Sequence, residues 1–365
     1  MTRKTEGENA YFAASNSTRG FVSYYSEVFR AARIGHIYAV KGGPGTGKSR
    51  FLRDVADCAA ERGWDVEYIY CSSDPDSLDA VVLTKEGREG IALLDATAPH
   101  LFEPICPGAW EDIVNLGQFW SSEALATQRQ KIEQLNREKS AAYRRAYRYL
   151  SGFGDMRANR DELAAPYIRK EKIAALAQKL LGEISNGEEY LAQPALIHSV
   201  GMRGRVGFDT YFHQAKKLYL VLDCHGAAQY LMRELGNLIL QKKLTVRISH
   251  DPVEPEKIDG LFLPQSGIAF AVCPEAECDY PYHRIVMRRF VNTVAMRPAR
   301  HEIGFCDRVC RALLGEALEA LEKVREVHFR LEDIYSAAMD FKAKEHFTKE
   351  FCQKLFGVEK GTDFS

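Results

Sequence analysis

The chain has 365 residues, which is enough for two domains with separate hydrophobic cores. Its 49 lysines and arginines nearly balance 50 aspartates and glutamates, so no global charge attracts nucleic acid or an acidic membrane. No apolar run approaches the roughly 20 residues of a membrane span, and the amino terminus lacks the apolar core of a signal peptide. We therefore expect a soluble, cytoplasmic protein with no membrane partner.

The most specific motif lies early in the chain, at residues 42–49, and reads Gly-Gly-Pro-Gly-Thr-Gly-Lys-Ser. It fills every fixed position of the phosphate-binding loop pattern G-x-x-x-x-G-K-[ST]. Residues 36–40 are predicted to form a buried strand before it, and residues 50–61 a helix after it. This order of strand, loop and helix is the context that the motif needs, so the sequence predicts a nucleotide-binding site.

Each residue type in this loop has a physical role. The glycines let backbone N–H groups curl around an anion at the amino end of the next helix. Lys48 is expected to contact the β- and γ-phosphates, and the Ser49 hydroxyl to help bind Mg²⁺. The predicted nucleotide-binding residues are Gly42, Gly43, Pro44, Gly45, Thr46, Gly47, Lys48, Ser49 and Arg50.

A second predicted strand, at 66–70, is followed by an acidic turn. Asp74 or Asp76 in this turn could accept a proton from a hydroxyl group or orient a water molecule. Asp79 is predicted to be mainly structural, because an aspartate recurs at the matching position of the second half, Asp259. Further along, His100 could contact a nucleobase or a phosphate, although a lone histidine is more often structural.

A later predicted strand, at 91–94, ends at Asp95. An acidic residue after a buried strand is typical of the aspartate that acts on Mg²⁺ or its water ligands in P-loop proteins. We predict this role for Asp95, with capping of the turn at 96–99 as the alternative. Residue 96 is alanine, so no glutamate follows to polarise a water. That absence argues against a fast motor ATPase and favours kinase-like or GTPase-like arrangements.

From about 121 to 183, helix-favouring residues dominate and proline is rare, which predicts long helices. Glycines at 151–154 predict a break, and hence a helical hairpin. The segment 129–149 carries seven basic residues against two glutamates, with tyrosines between them. It fits a lid that brings an arginine to the transferred phosphate, a nucleic-acid or partner surface, or a solvated helix face whose tyrosines pack inward.

The second half repeats the pattern of the first. Residues 37–40 recur as 218–221, and 79–83 recur as 259–263. The predicted fold is therefore α/β of the P-loop NTPase type, duplicated. Each unit has a mainly parallel sheet flanked by helices and a long helical extension.

We place the first unit at 1–195, with its helical insert at about 120–185, and the second unit at 196–365. Opposite the phosphate loop, the second unit reads Asp-Cys-His-Gly-Ala-Ala-Gln at 223–229 and has no lysine. An aspartate at the mouth of such a loop repels phosphate, and Val272 replaces the acid of Asp95. We therefore expect one active nucleotide site, with the second unit as scaffold, partner or regulator.

The nine cysteines are odd in number and scattered, which favours reduced thiols over disulfides. The close pairs are Cys273 with Cys278 and Cys306 with Cys310. Both spacings are wider than those of zinc knuckles, and the second pair fits one face of a helix. A zinc site at either pair is not favoured.

Together, these features resemble a little-characterised bacterial family of tandem P-loop proteins, described as ATPase-like or nucleotide-kinase-like. The residues that carry the resemblance lie at 41–49, 66–74 and 95–100, and 107–108 and 115–117 extend it. The resemblance covers most of the chain. It implies the fold class but no substrate. In that family the second unit often carries an intact loop, and this chain departs by losing it.

The sequence thus favours an ATP- and Mg²⁺-binding P-loop NTPase that hydrolyses ATP slowly or transfers its γ-phosphate to an unidentified acceptor. Candidate catalytic residues are Lys48, Asp95 and Asp74, and candidate metal ligands are Ser49 and Asp95. No guanine-specific N-K-x-D motif is apparent, which favours ATP over GTP. The alternatives are a non-enzymatic ATP-dependent switch for a protein partner and, disfavoured by the balanced charge, a nucleic-acid-associated ATPase using the basic segment 129–149.

Overall fold

A computed structural model describes residues 2–357 except Lys4, Glu6, Ala32, Leu101 and 274–278. Cys278 lies outside this part of the chain. The eight described cysteines are free thiols, and Cys306 and Cys310 are buried. Among the described residues, no helix combines the length and apolar character needed to cross a membrane.

The chain alternates strands and helices. The strands of the first half are β1 (Thr2–Arg3), β2 (Asn9–Phe12), β3 (Ala14–Ser17), β4 (Gly20–Ser23), β5 (Ile34–Lys41), β6 (Asp65–Tyr70), β7 (Leu78–Thr84), β8 (Gly90–Asp95) and β9 (Glu111–Asn115). Those of the second half are β10 (Leu191–Pro194), β11 (His198–Gly201), β12 (Gly204–Phe208), β13 (Lys217–Leu222), β14 (Thr245–His250), β15 (Ile258–Leu263), β16 (Ile268–Val272) and β17 (His283–Val286). The α-helices are α1 (Tyr25–Phe29), α2 (Lys48–Ala60), α3 (Ser122–Thr127), α4 (Arg129–Ala164), α5 (Lys170–Leu181), α6 (Thr210–Gln214), α7 (Ala227–Gln241), α8 (Arg300–Ala337) and α9 (Phe341–Phe356).

The first large sheet has the strand order β2-β6-β7-β8-β5-β9. Strand β5, which precedes the glycine-rich loop, is parallel to both of its neighbours, β8 and β9. Strand β7 is antiparallel to both of its neighbours. The sheet is therefore mixed, with β7 reversed, while its other five strands all run in the same direction, as a mainly parallel sheet requires. The connections at 71–77 and 85–89 are too short for parallel crossovers, which need a dozen or more residues.

The second large sheet has the order β10-β14-β15-β16-β13-β17. Its parallel and antiparallel strand pairs follow one another in the same order as in the first sheet. Each half also has an antiparallel hairpin, β3 with β4 and β11 with β12, followed by a short helix. Both sheets are flanked by helices. This α/β architecture is compatible with an internal duplication.

The two halves exchange their helical extensions. Helix α5, from the first half, packs on α7 of the second, where Ile173 and Leu181 share a buried cluster with Leu231. Conversely, α9 packs on α2, and the rings of Phe351 and Phe51 lie 5.2 Å apart. The long helices α4 and α8 pack along each other. As a result, each half contributes side chains to the surroundings of the other half's loop.

The predicted break at 151–154 is wrong, because α4 runs without interruption from Arg129 to Ala164. A Cβ atom added to Gly152 would lie 3.4 Å from Leu313 on α8, and one added to Gly154 would lie 2.6 Å from Thr18. These two glycines therefore permit close packing of the helix rather than ending it.

Candidate functional site

The glycine-rich loop at 42–49 joins β5 to α2. Gly45 and Gly47 have φ angles of 70° and 77°, a region that strains other L-residues. A Cβ atom on Gly45 would also lie 2.5 Å from the carbonyl oxygen of Glu332 on α8. Gly47 is the residue immediately before α2. The loop therefore ends at a helix amino terminus, where backbone N–H groups lack intrahelical acceptors and the helix dipole favours an anion.

This loop borders a cavity of about 330 Å³. The other walls come from the β6–β7 connection, the turn after β8, and side chains of α4 and α8. The cavity therefore lies at the edge of the sheet where parallel strands end, and helices from both halves line it. Ligands of open α/β sheets bind at this edge.

The Lys48 side chain folds back onto its own loop. Its ammonium donates hydrogen bonds to the carbonyl oxygens of Gly42 and Gly43, at 3.0 and 2.8 Å. The same Nζ lies 3.5 Å from Oδ2 of Asp95. Lys48 and Asp95, two of the three candidate catalytic residues predicted from sequence, are thus ion-paired at the cavity wall.

Asp95 is the last residue of β8. Its Oδ1 accepts a hydrogen bond from the N–H of Thr97 at 2.8 Å, while the Thr97 hydroxyl donates to the carbonyl of Gly42 at 2.9 Å. Burial raises the pKa of Asp95, Lys48 opposes that shift and Asp79 adds to it. Asp95 therefore both caps its turn and faces the loop lysine, so the two roles proposed from sequence are compatible.

The remaining loop side chains differ in position. Ser49 lines the cavity, and its hydroxyl oxygen accepts the N–H of Leu78 at 2.9 Å. Arg50 instead has a largely exposed side chain, pairs with Asp54 at 2.7 Å and is absent from the cavity lining. The structure thus brings Ser49 to the cavity but not Arg50.

The acidic turn is joined to the second half. Arg203, in the β11–β12 turn, donates to Oδ1 of Asp74 at 3.2 Å and also pairs with Asp76. Arg3 donates to Asp76 at 2.7 Å. Asp74 lines the cavity while Asp76 does not. Of the two candidates, Asp74 is therefore the one that lines the cavity, and Arg203 contacts its carboxylate.

Asp79 and His100 form a buried pair, with 3.1 Å between Oδ2 and Nε2. Burial alone lowers the pKa of His100, but the Asp79 carboxylate outweighs burial and raises that pKa above its ordinary value. Both residues line the cavity beside Cys71. Sequence reasoning treated Asp79 as a turn residue and His100 as a lone histidine, because only the fold brings the two together.

Lys139 on α4 is a site residue that sequence reasoning did not single out. Its side chain reaches the cavity, and its Nζ lies 3.3 Å from Nδ1 of His328 on α8. Within the described part of the chain, no carboxylate forms an ion pair with it. Burial lowers its pKa and the neighbouring Lys48 lowers it further, while Cys71 and the Glu332 carboxylate partly oppose that shift. The basic composition of 129–149 indicated that this segment could matter. Nothing in the sequence pattern distinguished Lys139 from the other six basic residues of the segment.

Those six other basic residues of 129–149 are exposed. The tyrosines instead pack inward, where the rings of Tyr143 and Tyr147 lie 5.9 Å apart and the Tyr143 hydroxyl is 3.1 Å from Oγ of Ser73. Most of the segment is thus a solvated face above packed tyrosines, with Lys139 as its basic residue that lines the cavity.

The loop of the second half keeps the turn but lacks the lysine. Gly226 precedes α7 with a φ of 81°, as Gly47 precedes α2. The Asp223 carboxylate accepts the N–H groups of Gly226 and Ala228, at 3.0 and 2.8 Å. A carboxylate of the chain itself therefore occupies the amides that would meet a phosphate.

No family model, no curated protein and no solved structure matches this chain. The functional argument therefore depends on the residues and geometry of the site.

Proposed function

We propose that the chain is an ATP- and Mg²⁺-binding P-loop NTPase with one active nucleotide site. The observation that carries this proposal is Lys139, a half-buried ammonium without an ion-pair partner among the described residues, which shares its cavity with Lys48 and the amino end of α2. Burying an unpaired charge is costly. A polyphosphate bound in the cavity would supply the missing negative charge.

The oxygen donors in the cavity fit Mg²⁺. This ion prefers hard oxygen ligands and keeps several water molecules, so one hydroxyl and one carboxylate are a suitable protein contribution. Ser49 and Asp95, which both line this cavity, offer these groups. When bound, ATP supplies a transferable γ-phosphate whose charge Mg²⁺ helps to neutralise.

Within this proposal, the loop amides and Lys48 bind and orient the phosphate oxygens. Lys139 stabilises the negative charge of the terminal phosphate during transfer. Asp74 is the candidate proton acceptor for an attacking hydroxyl or water, with Arg203 fixing its orientation. Since alanine follows Asp95, we expect slow hydrolysis and retain phosphoryl transfer to an acceptor as an equal possibility.

A specific contact favours the second candidate, an ATP-dependent switch. The Ser336 hydroxyl near the end of α8 donates to the carbonyl of Gly45 at 3.0 Å. Helix α4, which carries Lys139, also carries Arg157, whose guanidinium pairs with Asp251 of the second half at 3.2 Å. A nucleotide bound at the loop would therefore contact or lie close to helices α4 and α8, which also pack against the second half. Coupling between distant sites requires such a physical connection.

One comparison separates these candidates. Mg·ATP affinity, phosphate release and phosphorylation of trial hydroxyl acceptors should be measured for the wild type and Lys48→Ala. The NTPase proposal expects binding and turnover that both depend on Lys48. Tight binding without turnover would contradict the enzyme and favour the switch, whereas failure to bind any nucleotide would contradict both.

A further inference from the structure

Three metal-ligating side chains converge in the cavity. The thiol of Cys71, a carboxylate oxygen of Asp79 and a ring nitrogen of His100 all lie within 4.8 Å of one another. They come from the end of β6, the start of β7 and the turn after β8. These three positions meet at one edge of the sheet, so the fold rather than local sequence assembles the group.

An unsatisfied polar atom belongs to the same group. His100 is only 6% exposed, and its Nδ1 has no hydrogen-bond partner. Tyr25 stacks on the His100 ring with centroids 5.0 Å apart, and its buried hydroxyl also has no partner. Leaving a buried polar atom unpaired is unfavourable. An imidazole with an unused nitrogen, in one group with a half-buried thiol and a carboxylate, is what an incomplete coordination sphere would present.

We propose that Cys71, Asp79 and His100 bind one Zn²⁺ ion, at a position distinct from the Mg²⁺ position assigned to Ser49 and Asp95. Zn²⁺ prefers thiolate, imidazole and carboxylate ligands in combination, whereas Mg²⁺ prefers oxygen alone. Three protein ligands leave a fourth position open to the cavity, as in catalytic rather than structural zinc sites. A water molecule or a phosphate oxygen would fill it. This inference does not rest on nucleotide binding.

The Cys71 thiol is better suited to bind a metal ion than to act as a nucleophile. Burial raises the pKa of Cys71 well above its ordinary value, and Asp79 raises it further. The thiol is therefore protonated on its own and unsuited to attack.

The second half supports this assignment by contrast. The N–H of Cys71 donates to the carbonyl of Ser77, and the N–H of Asp251 donates to that of Lys257 in the same way. Asp251 thus takes the place of the thiol, and the guanidinium of Arg157 pairs with it at 3.2 Å. At the position of the Cys71 thiol, the second half therefore holds a carboxylate that is paired with a protein cation.

The test uses the full chain, free of any affinity tag and stripped of metal by a chelator, titrated with Co²⁺ and then Zn²⁺. We expect about one Co²⁺ per chain with a thiolate-to-cobalt charge-transfer band, which Zn²⁺ abolishes. Cys71→Ser should lose the band, and His100→Gln should weaken binding at least about tenfold. Cys106→Ser, which removes an exposed thiol, should retain it.

Two outcomes would overturn the proposal: a wild-type protein without the band, or a band that persists in a folded Cys71→Ser variant. Circular dichroism establishes folding, and if Cys71→Ser does not fold, the wild type and His100→Gln decide the question. Lys48→Ala should keep the cobalt band whether or not it binds nucleotide. The metal result is thereby separated from the proposed NTPase function.

Discussion

The carboxylate of Asp223 accepts the backbone N–H of Ala228 at 2.8 Å, at the amino end of α7. In the first half, the corresponding amino end of α2 borders a cavity, and Lys48 is the first residue of that helix. The two loops therefore differ in the surroundings of their backbone N–H groups. The loop of the first half borders a cavity, whereas two N–H groups in the second half are hydrogen-bonded to the Asp223 carboxylate.

This contact predicts that Asp223 stabilises the second half. Asp223→Ala should lower the free energy of unfolding by about 0.5–2 kcal/mol, as loss of a helix-capping side chain does. It should not create a second nucleotide site, because no lysine follows Gly226. Denaturant unfolding and nucleotide titration check both statements. An unchanged stability would contradict the capping role, and a gain of nucleotide binding would show that Asp223 alone blocks the loop.

Lys139→Met should weaken nucleotide binding without destabilising the nucleotide-free protein. Without nucleotide, removing a half-buried charge that has no ion-pair partner among the described residues should leave the melting temperature unchanged or raise it. With Mg·ATP, the variant should lose at least about tenfold in affinity, since a charge-assisted contact is lost. Thermal unfolding with and without nucleotide measures both. Lys131→Met, on an exposed part of the same helix, is the matched control. Equal nucleotide-induced stabilisation in both variants would remove Lys139 from the site.

Asp95→Asn tests the metal role of that carboxylate. The amide oxygen can still accept the N–H of Thr97, so the turn should survive, but the charge opposite Lys48 is lost. We expect the Mg²⁺ dependence of nucleotide affinity to weaken at least about tenfold, with Asp65→Asn as an exposed control. In the wild type, burial raises the pKa of Asp95, so protons should compete with Mg²⁺ as the pH falls. An unaltered Mg²⁺ dependence in the variant would argue that Asp95 only caps its turn.

The local elements around the loop could be predicted from sequence because local signals specify them. Apolar runs predicted β5, β6 and β8 within one or two residues, and the glycine pattern predicted the start of α2. The antiparallel placement of β7 was missed, although the short connections on either side of it carried that information. The glycines at 151–154 were misread because a helix interior can use glycine for close packing.

The tertiary parts of the site could not be predicted. Lys139 reaches the loop only because α4 and α8 pack together across the two halves. Likewise, Cys71, Asp79 and His100 are separated in sequence and meet only at the sheet edge. No spacing rule links such positions, since their proximity is a property of strand order.

Stability in acid should depend on an ion pair between the two sheets. Glu67 on β6 pairs with Arg247 on β14 and with Arg33. Burial raises the pKa of Glu67, but Arg247 and Arg33 outweigh burial and lower it to about 2. A lowered pKa stabilises the fold above the unfolded-state value of about 4.5 and loses that contribution as the pH falls toward 2.

The contribution is about 3 kcal/mol at neutral pH. Glu67→Gln should therefore lower the free energy of unfolding by that order at pH 7 and flatten its decline between pH 4.5 and 2. Glu86→Gln, on an exposed turn, should behave like the wild type. Denaturant unfolding across this pH range provides the measurement. Parallel pH profiles for Glu67→Gln and the wild type would refute the assignment.

The most direct test of the single-site account is calorimetric titration of the purified chain with Mg·ATP, or with a non-hydrolysable analogue. The account predicts about one nucleotide per chain, loss of binding in Lys48→Ala, and wild-type binding in Lys85→Ala, whose lysine lies outside the cavity lining. Two nucleotides per chain, or undiminished affinity in Lys48→Ala, would contradict it.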